Sequence, residues 1–587
     1  RQLANMKTAS ELEKIIAEAR EISLLMSKGA LKDANGKYIP PSDNAEVAAI
    51  IEELQARLSF IANPKIPSWS QALTSTGFNM LLGANISSAL VNLMQVPMIL
   101  APYLTGEHGL NETRKAITDA YKVFAGSGIS RQQQVFGTNE KDTVRTGLSI
   151  INYAPDSEDG KKYKTAIGIW EANAQLGSSM TYDVLDAPTS RINFWSGLPF
   201  HHAERINREV SLISAYNLEM DRLKKYGEKT KDGILARTLT PEGRETAAAN
   251  YAVYVAEMTQ GGTSAASAPR YAQGPIGRVL LMFKRYGIMS LYLQFKMLKQ
   301  SLVGATAAER KAAMTQFAGV TGMAALFAGL QGIPLFGMAA LIYGLFKDDD
   351  DDDLATEVRK VAGPFWTYGP VSALTNLNIA GRLSQTDLLV RDMQQGDSPS
   401  TLATLGAQLL GPVYGVASKV ERGLTMMGEG HLGRGIEQVL PSAFGNVFKA
   451  ARFATEGANT LRGDPITGEV NAWNVGAEAL GFLPADYARQ LEISNHLKGI
   501  DKYVSTKETK LLRKYYTATR FRDFDEQQDA REDLQALFRK HPGLGSLSEV
   551  ISNSMASHQK TTSRMIHGVT FNAKLEGELR RRGAEME

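Results

Sequence analysis

The sequence predicts an all-α protein, predominantly helical, elongated and multi-domain, with apolar Gly/Ala-rich helical hairpins. Three observations carry this reading. Apolar residues recur every three to four positions through most of the chain, while the two-residue alternation of strands is scarce. Two stretches, residues 66–106 and 312–346, carry no formal charge, yet both are too rich in Gly, Ala, Asn and Gln to read as plain apolar spans. No cysteine occurs among the 587 residues, so the fold holds by packing without covalent staples.

Composition narrows the function classes. Charged residues make up 22% and apolar residues 43%, near the averages for soluble globular chains, which argues against a polytopic transporter. A net charge of +3 is too balanced for bulk-charge nucleic-acid binding, so any DNA contact is local. The missing thiols remove zinc-thiolate, iron–sulfur and cysteine-nucleophile chemistry.

Element by element, residues 1–65 read as a helical hairpin. Its first helix opens with Thr8 and Glu11 in capping-box spacing and its second starts near Ala45. The chain begins at Arg1 without methionine or an apolar signal core, which reads as a fragment or processed product. Residues 66–258 form a helical domain that contains the uncharged stretch 66–106. There Asn85, Ser88, Asn92 and Gln95 lie on one side and Phe78, Leu82, Ile86, Leu90 and Leu93 on the other. Such a segment suits burial among helices, or a position between lipid and a polar lumen. A long helix starts near Pro199.

A Gly/Ser/Ala-rich linker at 259–275 separates this domain from one over 276–500. The latter opens with a helix whose basic band holds Arg278, Lys284, Arg285, Lys296 and Lys299, suited to solvated lysines or to anionic lipid. It continues with the apolar hairpin 312–346 and with two uncharged stretches, 361–381 and 398–418, each broken by Gly-Pro. Residues 501–587 form strongly charged C-terminal helices.

Chemical motifs fail one by one. His201 and His202 are adjacent, about 100° apart on a helix, unlike the four-residue spacing of helical zinc pairs. Residues 348–353 are six aspartates without the glycine turn and closing glutamate of a calcium loop. "GEGHLG" at 428–433 has the dinucleotide-binding spelling but no strand before it, so it reads as a helix-breaking loop. No catalytic, cofactor-binding or metal-ligating residue is therefore assigned. Arg580, Arg581 and Arg582, together with Lys284 and Arg285, are candidates for phosphate or anionic-lipid contact.

The segments "PIGRVLLMFKRYGIMSLYL", "NIAGRLSQTDLL", "LPSAFGNVFKAARFATEGANTLRGDPITGEV" and "LGFLPADYARQLEISN" occur in that order within residues 270–500. They resemble the large-polyvalent-protein-associated domains of giant bacteriophage proteins. They are also similar to the C-terminal parts of internal virion (DNA-ejection) proteins of short-tailed phages. The resemblance implies a structural, non-enzymatic component of an internal core, stored in the virion at the portal and ejected into the host envelope to help form a genome conduit. Implied partners are other core and ejection proteins, the portal, further copies in a ring, the host membrane conditionally, and DNA nonspecifically. Some members carry a lytic transglycosylase domain that nothing in this chain matches. The alternatives are a peptidoglycan-degrading ejection enzyme and a constitutive membrane pore.

The run 312–346 is expected to be the conditional membrane element. As one helix it would extend about 52 Å, well beyond a hydrocarbon core of about 30 Å, so it should break. Gly332 and Pro334 supply the break. Small residues at four-residue spacing, Ala318 with Gly322, Ala325 with Gly329 and Ala340 with Gly344, suit close helix packing.

Overall fold

Helix-forming periodicity without strand alternation yields the expected class: in the computed structural model 86% of the described residues are helical and 2% lie in strands. Described are residues 2–30, 38, 45–62, 67–127, 158–172, 190–226, 229–230, 233–234, 240–261, 274–281, 284–333, 336, 354–379, 412–461, 463–467, 470–563, 565–566, 569–570, 577–578 and 581–582. The chain divides into two compact units. One comprises residues 1–343, 354–394 and 399–490, the other residues 344–353, 395–398 and 491–587.

In the first unit, α1 (Gln2–Ser27) and α2 (Ala45–Ala62) pack on one another as the expected hairpin. Helix α1 starts upstream of the expected cap, so Thr8 lies inside it. Next come α3 (Ser68–Leu81) and α4 (Ile86–Leu93), a π-helical turn at Val96–Leu100, and α5 (Ala101–His108). Helix α6 (Leu110–Ser127) follows a turn through Gly109, whose φ is 85°.

The core gathers around α8 (Ser190–Tyr226), flanked by α7 (Lys164–Ala172), α9 (Pro241–Gln260), α6 and α4. Helix α8 begins nine residues before the start expected at Pro199 and runs through that proline. Tertiary bonds hold the upstream turn: Ala84 N–H donates to the Ser196 carbonyl at 2.5 Å, and Ser196 Oγ donates to Asn79 Oδ1 at 2.5 Å. On the inner side of α9, Ala248, Ala249, Ala252 and Ala256 let α8 approach closely. The largest buried side chain, Trp170, meets Tyr216 edge to face and donates from Nε1 to the Ala249 carbonyl at 3.2 Å.

Helices α10 (Lys284–Val303) and α11 (Ala307–Ala328) join the same core through Leu293, Met297, Val320 and Ala324. The linker expected at 259–275 thus does not separate two cores, because apolar sides before and after it meet in one. Helix α11 ends earlier than expected. Its break falls at Gly329 (φ 65°), and Gly332 closes a short 3₁₀ turn; Pro334 lies outside the described residues. The cause is a close backbone approach: a Cβ on Gly329 would overlap the Thr367 carbonyl and the Gly369 nitrogen.

The rest of this unit is α12 (Leu354–Tyr368), broken at Gly363 (φ 74°) before Pro364, and a short helix Pro370–Thr375 after Gly369. Both Gly-Pro pairs break the chain as expected. Then come α13 (Pro412–Gly428), α14 (Leu432–Val439), α15 (Ser442–Glu456), α16 (Ala472–Ala479) and α17 (Ala485–Phe521). "GEGHLG" is the turn between α13 and α14, with no strand before it. In the second unit, α18 (Phe524–Lys540) and α19 (Leu547–Ser563) share a small core of Leu511, Leu534, Leu537 and Phe538 with the end of α17.

Two glycines on or beside α11 separate backbone constraint from helix propensity. Gly329→Ala should lower unfolding stability by about 2–4 kcal/mol, because it adds both positive-φ strain and overlap. Gly322→Ala sits on the same helix with nothing within 4 Å, and should raise stability by about 0.5–1 kcal/mol. Urea titration of both variants reads the difference.

Candidate membrane and anion contact surfaces

The uncharged stretch 66–106 folds with its polar residues inward. Asn85 caps α4, accepting from Ser88 N–H at 3.2 Å and from Ser87 Oγ at 2.7 Å. Ser87 N–H donates to the Leu480 carbonyl at 3.1 Å, and Gly481 leaves room for Asn85 and Ser87 beside it. Asn92 is buried and Gln95 half-buried, with Gln95 Nε2 donating to Asn92 Oδ1 at 2.6 Å. On α3, Ser70, Thr74 and Ser75 are buried, and Ser70 Oγ donates to the Pro275 carbonyl at 3.0 Å.

On the opposite side Phe78 is buried and Leu82 and Leu93 are half-buried, but Ile86 and Leu90 are exposed, as are Trp69 and Leu73 on α3. The hairpin is inverted relative to a water-facing helix pair, which keeps its apolar side in. Among the described residues one helical stretch, Ile86–His108, is long and apolar enough to cross a membrane, and half of it is buried in the protein.

Pro97 and Pro102 each remove a donor from this stretch, and the turn between them is π-helical. Side-chain amides from other helices bond its carbonyls. Asn207 on α8 donates Nδ2 to the Asn92 carbonyl at 2.7 Å, and Gln316 on α11 donates Nε2 to the Tyr103 carbonyl at 2.9 Å. Beneath them on α8 lie ion pairs at helical spacing: Arg205–Glu209 at 2.7 Å, both buried, and Arg208–Glu204 at 3.1 Å. The Arg205 guanidinium also sits 5.0 Å from the Phe124 ring centroid. Sequence reasoning passed over these pairs, although their i, i+4 spacing was readable.

The expected packing stripe on the 312–346 run lies elsewhere on the helix. Ala318 and Gly322 are exposed and Ala325 is half-buried, whereas Ala313, Gln316, Val320, Ala324 and Ala328 are buried. The reason is the partner helix. A Cβ on Gly106 would meet the Ala312 carbonyl at 2.6 Å, and one on Gly319 would meet Pro102 Cβ at 2.8 Å, so α5 selects that side of α11. Gly329 makes the backbone approach to Thr367 and Gly369 described above. Ala340 and Gly344 lie outside the described residues, as do the six aspartates.

The basic candidates are dispersed. Lys284 starts α10 half-buried, and burial pulls its ammonium pKa down. The side chain of Arg285 and all of Arg580 lie outside the described residues. Arg581 and Arg582 are exposed, with Arg582 paired to Glu578 at 2.8 Å. In the remaining basic band Lys296 donates to Tyr254 Oη at 2.5 Å. His202 is half-buried on α8, where burial and nearby Arg205 push its imidazole pKa down.

A second polar centre joins segments that carry the resemblance. Asn376, in the left-handed conformation, donates Nδ2 to Asn474 Oδ1 at 3.2 Å and to Asp486 Oδ1 at 3.1 Å. Its carbonyl accepts from Ala485 N–H at 2.8 Å. Nearby, Arg452 grips Glu437 with two bonds, Nε at 3.0 Å and Nη2 at 3.3 Å, and donates Nη1 to the Asn459 carbonyl at 2.9 Å. Among the described residues no three His, Asp or Glu side chains converge on a metal-sized site. Compared with known protein families, with curated proteins and with solved structures, the chain matches none.

Proposed function

We propose that the chain is a non-enzymatic structural component of a phage internal core, ejected into the host to help form a conduit across the cell envelope for genome delivery. The observation that carries the reading is the uncharged 66–106 stretch. It contains a helical stretch long enough to span a bilayer, half of it sheltered in protein, with its polar side inward and apolar side chains on its outside. That arrangement suits a protein that is stored folded and meets lipid later. The resemblance over residues 270–500 supplies the biological setting. In this reading the chain sits in the virion interior at the portal, beside other core and ejection proteins, and moves to the host envelope after adsorption. It forms a ring of like subunits, since a conduit requires closed symmetry. It touches DNA only through basic patches, such as those at Lys284 and Arg285 or at Arg580, Arg581 and Arg582, with binding that weakens steeply as salt rises.

Virions carrying an epitope-tagged chain should lose it to the host envelope fraction within the period of genome entry. A tag that stays with the emptied particle overturns the reading. Mass photometry of the purified chain with its virion partners should show one discrete ring; a monomer under every condition counts against closed assembly. The 312–346 run is the proposed span in the ejected state. Protease digestion of chain reconstituted in anionic vesicles should leave a protected peptide covering residues 312–333, and complete digestion there would remove that assignment.

A further inference from the structure

We infer that the outer side of the α3–α4 hairpin is a docking surface for a phospholipid bilayer, seated at the headgroup–acyl boundary while the protein remains folded. The inference rests on the envelope role proposed above and names the partner of one surface.

The surface is built by inversion. Helix α3 has Ser70 at 0%, Thr74 at 8% and Ser75 at 3% exposure, against 47% for Trp69 and 38% for Leu73. Helix α4 repeats the pattern, with Ser87 at 0% and Asn92 at 8% against 45% for Ile86 and 40% for Leu90. Trp69–Leu73 and Ile86–Leu90 are each four residues apart, so each pair shares one helix side. Hydrogen bonds on the inner side, from Ser70 to Pro275 and from Ser87 to Leu480, fix both helices against rotation. Next to Pro275, Ile276 adds a further exposed apolar side chain beside α3.

Charge distribution decides the occupant. Protein interfaces surround their apolar centre with a polar, often charged rim that sets register. Here no residue from 66 to 106 carries a formal charge, so the hairpin has nothing to pair with a protein rim and no ion to desolvate on entering a headgroup layer. Trp69, at the start of α3, is the amphipathic aromatic suited to headgroup depth. At 14 and 8 residues, α3 and α4 reach about 21 and 12 Å, short of a hydrocarbon core of about 30 Å. The hairpin therefore lies on the bilayer and does not cross it.

The test uses the full chain with vesicles of phosphatidylethanolamine and phosphatidylglycerol, scored by flotation, and with brominated acyl chains, scored by tryptophan quenching. The double variant Ile86→Glu, Leu90→Glu changes positions that are already exposed, and circular dichroism verifies its fold. It should lower vesicle partition at least about tenfold, while Leu497→Glu, an exposed leucine on α17, should leave it unchanged. Brominated-lipid quenching should disappear in Trp69→Phe. Flotation of the double variant at the level of the original chain overturns the inference. So does an original chain that ignores vesicles but forms an oligomer that the double variant dissolves, because a second copy then covers the surface. Envelope localisation after infection without vesicle binding defeats this inference alone; vesicle binding by a chain that never leaves the particle defeats the ejection reading alone.

Discussion

The amide of Asn207, bonded at 2.7 Å to the main-chain carbonyl of Asn92, expresses the constraint on which the first unit depends: buried polar groups must be paired. The segment from Ile86 to His108 contains two prolines and a π-helical turn, so its own ladder is short of donors. Donors come from outside it, from Asn207 on α8 and from Gln316 on α11. The same bonds fix which side of the segment faces the core. An amide from α8 and another from α11 tie three stretches that are far apart in sequence into one orientation, and the positions of α3 and α4 follow.

The buried ion pairs of α8 follow the same logic at higher cost. Arg205 and Glu209 are both nearly inaccessible, and removing two charges from water costs several kcal/mol apiece before their mutual attraction repays it. Their pairing within one helix turn contributes little to attaching α8 to its neighbours. The Arg205 ring contact with Phe124 and the Arg208 bond to the Gly261 carbonyl do that, linking α8 to α6 and to the end of α9. Buried charge here specifies how helices are arranged more than it adds net stability. The Asn376–Asn474–Asp486 cluster does similar work at the other end of the unit, where a left-handed asparagine fixes the path between the Pro370–Thr375 helix and the start of α17.

Helix existence was legible in the sequence because a 3.6-residue period survives any tertiary context. Helix ends and orientation were less so. The Pro199 start failed because a proline announces a helix start only when nothing holds the turn upstream of it, and Asn79 and Ala84 hold that turn here. Gly332 and Pro334 looked like the natural break of the 312–346 run, but Gly329 faces the Thr367–Gly369 backbone, a contact separated by some forty residues and invisible to local pattern. The small-residue stripe was misplaced for the same reason: Gly319 and Gly106, not Ala318 and Gly322, meet the partner helix. The polar stripe Asn85, Asn92 was visible as a stripe, but which side faced inward was not, because periodicity gives the axis of amphipathicity and not its sign.

That sign can be argued from magnitudes. Turning α4 about its axis to bury Ile86 and Leu90 would remove less than half of each side chain from water, a gain of about 1–2 kcal/mol at roughly 1.5–3 kcal/mol for each full burial. The same rotation would break the Asn85 cap, the Ser87 N–H bond to Leu480 and the Asn207 bond to Asn92. It would leave at least the fully buried Asn207 amide without a partner. An orphaned buried donor costs about 1–3 kcal/mol and a lost cap about 1 kcal/mol, so the polar terms exceed the apolar gain. The exposed isoleucine and leucine are therefore the cheaper side of the balance in water. A surrounding that welcomes apolar side chains lowers the energy of this same arrangement further, without asking any hydrogen bond to change. The hairpin needs no refolding to meet lipid, because the side it turns outward is already the one that lipid accepts.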